Sequence, residues 1–172
     1  INHILILIHS LYPIHLIGVM TEFKEDNDSQ TSGNGKFLVN IDSNLNYIDY
    51  PNKMRCNPST DLVIDLPPHN KDYFTLQLEA VKNYYESTSD YNISYGMIDQ
   101  IYQLDNEMSY YATSDQKIGL LFAEAIQMAQ ENGDIADYIN NNSLSLDDVL
   151  FVVFHAGLGQ EASQSFDPTI YD

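Results

Sequence analysis

Cysteine, basic residues and long unbroken apolar runs are all scarce in this chain of 172 residues. Cysteine occurs once, at Cys56, so no internal disulfide can staple the fold. Lysine and arginine number 7 against 25 aspartates and glutamates, a formal net charge of −18. Such a surface repels nucleic acid and anionic membranes, and it suits calcium, cationic partners or plain solubility. The apolar start, INHILILIHSLYPIHLIGVM, is interrupted by His3, His9, Pro13 and His15, which argues against a stable membrane span.

What the chain does have is enough length and apolar content, 44% hydrophobic, for one domain with a core. Residues 1–13 read in two ways: the tail of a signal-peptide core, or a first strand. Position 1 is Ile and the last segment carries no closing signal, which leads us to expect a piece of a longer reading frame.

IHLIGVMTEF, residues 14–23, has the apolar run of a buried strand. KEDNDSQTSGNGK, residues 24–36, reads as a loop. After Pro67 and Pro68 the spacing of Phe74, Leu78, Val81 and Tyr85 predicts a helix with one apolar stripe. Asn70 is its expected N-cap, and Asp72 complements the helix dipole. YNISYGMIDQIYQL reads as a strand or hairpin. A second helix is predicted from the stripe Ile118, Leu121, Phe122, Ala125, Met128 and Ala129, with Thr113 and Gln116 as a capping box and Gly133 at its end. Val149–Phe154 is a continuous apolar run, expected to be a strand buried on both faces. Strand, helix, strand, helix, strand is the order of an α/β domain: a mixed, largely buried sheet flanked by helices.

The segment His155-Ala-Gly157-Leu-Gly159-Gln160-Glu161 carries the most chemistry. Glycines after a strand let backbone N–H groups approach an anion. A phosphate site also wants a basic residue, yet Lys117 is the last one in the chain, Glu161 would repel phosphate, and Ala162 stands where the third glycine of G-x-G-x-x-G belongs. An oxyanion loop of the α/β-hydrolase type needs a G-x-S-x-G serine, which these residues lack. The plain alternative is a turn at a strand end. Elsewhere, Asp26, Asn27 and Asp28 group hard oxygen ligands that could take calcium, but the EF-hand pattern is unmet and a solvated turn accounts for them better. Ser114 and Lys117 have S-x-x-K spacing without its partner motifs. His3, His9 and His15 show no metal-site spacing, and His69 suits a surface or capping role. The 13 tyrosines, paired at 84–85 and 110–111, suit packing and rims.

Taken in order, MTEFKEDND, the segment from PPHNKDYF to SYGMID, LLFAEAIQMAQENGDI and VLFVVFHAGLGQEAS resemble successive parts of the immune inhibitor A-like zinc metallopeptidases, across residues 14–172. The resemblance implies the N-terminal part of a secreted zinc peptidase that hydrolyses a protein or peptide substrate. In that family the metal is held by H-E-x-x-H on a helix, two imidazoles one turn apart with a glutamate that activates the bound water. That motif is absent from these 172 residues. The expectation is therefore a catalytic domain whose zinc ligands lie downstream, inactive as the 172-residue piece alone. His155, Gly157, Gly159, Gln160 and Glu161 would line the wall beside the active site. The competing expectation is a non-catalytic extracellular α/β module that binds a partner or calcium.

Overall fold

The computed structural model describes residues 14–26, 34–40 and 68–157. The described strands are β1, Ile14–Glu22, β2, Ile93–Gln103, and β3, Val149–His155; the helices are α1, Lys71–Thr88, α2, Met108–Tyr111, α3, Asp115–Glu131, and α4, Asp134–Asn141. A short 3-10 turn, Leu146–Asp148, leads into β3. The three strands form one sheet in the order β2-β1-β3, and both pairings are parallel. The α/β class expected from the element order is thus the observed one.

Parallel neighbours require crossover helices. The chain passes from β1 through α1 to β2 on one side, then back through α2, α3 and α4 to β3 on the other. Right-handed crossovers running in opposite directions put their helices on opposite faces. The packing agrees. Leu16 and Met20 of β1 with Ile93 and Met97 of β2 bury against Phe74 and Leu78 of α1. The alternate residues Ile17 and Val19, with Ile98 and Tyr102, bury against Ala129 of α3 and Ile135 of α4. A third cluster caps the strand ends: Phe23, Leu104, Met108, Tyr111, Leu121, Ala125 and Ala156.

Gly18 permits the close fit of α1. A Cβ there would lie 1.9 Å from Met97 Sδ and 3.1 Å from Leu78 Cδ1. A register irregularity follows: Gly18 pairs with Met97, but Met20 pairs with Ile101. β2 therefore spends two extra residues, an even number that keeps Tyr102 on the α3–α4 face with Ile98.

Several local expectations need correction. Asn70 caps α1 as expected, accepting from Tyr73 N–H at 3.1 Å. The stripe of α1 is shorter than read: Phe74 and Leu78 are buried, but Val81 and Tyr85 are exposed. In α3, Leu121, Ala125 and Ala129 are buried while Ile118 and Phe122 face solvent. The cap of α3 is Ser114, with no side-chain cap bond; Thr113 Oγ1 instead donates to Tyr110 C=O at 3.0 Å, so the capping box does not form. Gly133, at φ 87°, ends α3 and also starts α4, a helix not foreseen from the sequence. β3 pairs only with β1 among the described residues, and Leu150 is 54% exposed, so its apolar run is not buried on both faces.

Candidate functional site at the carboxyl ends of the central strands

In an open parallel sheet, ligands bind beyond the carboxyl ends of the strands. Here the adjacent strands β1 and β3 end side by side, running into the loop from Phe23 and the turn His155-Ala156-Gly157.

The two strand ends are tied together. Thr21 pairs with His155 in register, and Ala156 N–H donates to Thr21 C=O at 3.1 Å. Thr21 is itself fully buried, its hydroxyl donating to Tyr102 C=O at 2.9 Å. Ala156 is buried in the capping cluster, a position with no room for a large side chain. Gly157 then turns the chain at φ 79°, a left-handed conformation that favours glycine.

His155 is half-buried at this rim, edge-on to Phe23 with ring centroids 5.8 Å apart. Its Nδ1 lies 2.9 Å from the carbonyl oxygen of Ala156. A carbonyl only accepts, so Nδ1 carries a proton, and in the neutral ring the lone pair sits on Nε2. Phe23 also packs on Tyr111, centroids 5.6 Å apart. The Tyr111 hydroxyl donates to Glu124 Oε2 at 2.6 Å, and burial, together with this carboxylate, pushes its pKa up to about 12.

The neighbouring strand end is polar. Glu22 Oε1 accepts from Phe37 N–H at 2.9 Å, and Glu22 Oε2 lies 3.5 Å from Lys36 Nζ. Lys36 Nζ also donates to Gln103 Oε1 at 2.8 Å, linking the ends of β1 and β2. The backbone follows suit: Phe23 N–H donates to Gly35 C=O at 2.9 Å, Lys24 N–H to Asn106 C=O at 3.0 Å, and Leu104 N–H to Glu22 C=O at 2.8 Å. The segment 34–37 is thereby held against the strand ends. Asp26 follows on the same loop and is buried.

Of the residues singled out from the sequence, His155, Gly157 and Asp26 lie on described segments that leave β1 and β3 at this end of the sheet. Gly159, Gln160, Glu161, Asn27, Asp28, Cys56, His3 and His9 lie outside the described residues. Ser114 is an exposed helix cap, and His69 packs on Tyr73 with centroids 4.9 Å apart. Sequence reasoning missed Thr21, Glu22 and Lys36, whose roles depend on strand pairing and on the return of residues 34–37. Among the described residues no three His, Cys, Asp or Glu side chains are grouped to hold a metal ion, so the zinc expected from the resemblance has no holder among them. No helix of the described residues is long and apolar enough to cross a membrane.

No family model, curated protein or solved structure matches this chain.

Proposed function

We propose that the crevice at the carboxyl ends of β1 and β3 is one wall of the substrate cleft of a secreted zinc peptidase of the immune inhibitor A-like type, acting on protein or peptide substrates. The H-E-x-x-H helix that would hold the metal comes from outside these 172 residues. The observation that supports the reading most is the Nδ1–H···O=C bond of His155 to Ala156, which in the neutral ring puts the lone pair on Nε2 at the carboxyl end of β3, beside β1. A peptide laid across that point offers backbone N–H groups, which a neutral imidazole nitrogen accepts. His155 is assigned substrate positioning rather than a zinc-ligand role.

The test uses the complete reading frame continued beyond Asp172. The expected result is one zinc per chain by metal analysis and cleavage of casein, with His155→Ala lowering kcat/KM about tenfold, roughly 1.4 kcal/mol of binding. A complete frame without paired imidazoles one helical turn apart, or one that loads zinc and cleaves nothing, would overturn the proposal. Residues 1–172 alone are expected to cleave nothing.

A second reading is a non-catalytic extracellular module that binds calcium on its acidic loop. It draws on the buried carboxylate of Asp26 and the net charge of −18. Calorimetric titration with calcium, comparing the parent chain with Asp26→Asn, separates the two readings.

A further inference from the structure

At the opposite end of the sheet, near the start of β1, His15 is buried at 7% exposure with both ring nitrogens engaged. Nδ1 lies 2.7 Å from Ser94 Oγ, the in-register neighbour on β2. Nε2 lies 3.0 Å from Tyr138 Oη of α4. Ser94 is exposed, whereas His15 is not. Tyr138 reaches the histidine only because residue 96 is glycine: a Cβ there would stand 1.9 Å from Tyr138 Oη.

These are the relations of a nucleophile, its base and the group that orients the base. With the proton on Nε2, the ring donates to Tyr138 Oη, and Nδ1 accepts from the Ser94 hydroxyl. Burial lowers the pKa of His15 and so keeps it in the neutral form that can take a proton. An exposed hydroxyl hydrogen-bonded to a sequestered neutral imidazole has access to solutes while its base is shielded from water.

We propose that Ser94 is a nucleophile activated by His15 and positioned through Tyr138, and that it takes acyl groups from small neutral or cationic esters. The charge preference follows from the −18 surface, which repels anionic esters. In the acylation step the Oγ–C bond forms, the bond from the carbonyl carbon to the alkoxide breaks, and the hydroxyl proton passes through Nδ1 to the departing alkoxide. Water then attacks the acyl-serine, giving its proton to Nδ1, which returns it to Oγ as the acid leaves. Because the orienting partner is a phenol rather than a carboxylate, the imidazolium gains little stabilisation and turnover is slow. The site is independent of His155 and of any metal, so its failure leaves the peptidase reading untouched.

The test is phosphonylation of the folded chain by a fluorophosphonate, which forms a P–O bond at serine and releases fluoride, mapped by peptide mass spectrometry. One adduct on Ser94 is expected, absent from Ser94→Ala and from chain unfolded in urea. Tyr138→Phe and Gly96→Ala, each checked for an unchanged fold by circular dichroism, are expected to slow labelling about a hundredfold. In Ser94→Cys, the thiol should react with iodoacetamide faster than in the unfolded chain, and adding Tyr138→Phe should remove that advantage. No adduct on Ser94 in the folded parent, or equal labelling with and without the Tyr138 hydroxyl, overturns the proposal.

Discussion

Thr21 and His155 face each other across the β1–β3 ladder, and the N–H of Ala156 closes on the carbonyl of Thr21 at 3.1 Å. This closure fixes where β3 stops and where the His155 ring begins. It depends on Gly157, which leaves the ladder at φ 79°. Gly157→Ala is expected to cost about 1–2 kcal/mol, the penalty of a left-handed conformation for a residue with a Cβ. Urea denaturation with an unchanged m-value checks it.

Leu78 is fully buried between α1 and the sheet. Leu78→Ala is expected to destabilise the chain by about 2–5 kcal/mol, because the neighbouring Met97 and Phe74 fill the void only in part. Leu76, on the same helix but 61% exposed, is the control, and Leu76→Ala should lie within about 0.5 kcal/mol of the parent. Both values come from chemical denaturation.

His15 makes stability depend on pH. Burial lowers its pKa below the ordinary 6.5, so the unfolded chain takes up this proton first as pH falls. Its contribution is intact above about pH 6.5 and is lost as the pH falls toward the folded-state value. His15→Gln should flatten the slope of unfolding free energy against pH in that window, measured by urea denaturation at each pH.

Tyr111 gives the opposite sign at the alkaline end. The folded chain holds its phenolic proton to about 12, whereas an unfolded tyrosine releases it near 10. Stability is therefore lost as pH rises through that interval. A spectrophotometric phenolate titration should show a late-titrating tyrosine in the folded chain. Tyr102 and Tyr138 are also pushed up by burial, so Tyr111→Phe should lose one late-titrating proton rather than the whole late phase.

The lengths and kinds of the main elements were legible from local pattern. The apolar run at 14–23 became the central strand, Ile14–Glu22, and Asn70 became the cap of α1, because both signals act within a few residues of chain. The capping pair Thr113 and Gln116 failed for a local reason too: the Thr113 hydroxyl found the carbonyl of Tyr110 in the preceding short helix. Exposure of Val81, Tyr85, Ile118 and Phe122 was not legible, since an apolar stripe predicts a buried face but not how far the sheet beneath it extends.

By itself, then, the sequence determined an acidic α/β chain with a glycine turn at the end of an apolar strand. Hydrophobic periodicity, turn chemistry and charge are properties of neighbouring residues. Only the tertiary structure decided that β3 lies beside β1, that His155 therefore stands opposite Thr21, and that His15, Ser94 and Tyr138 meet. Those residues are brought together by strand order and by the absence of side chains at Gly18 and Gly96, and spacing along the chain carries no trace of either.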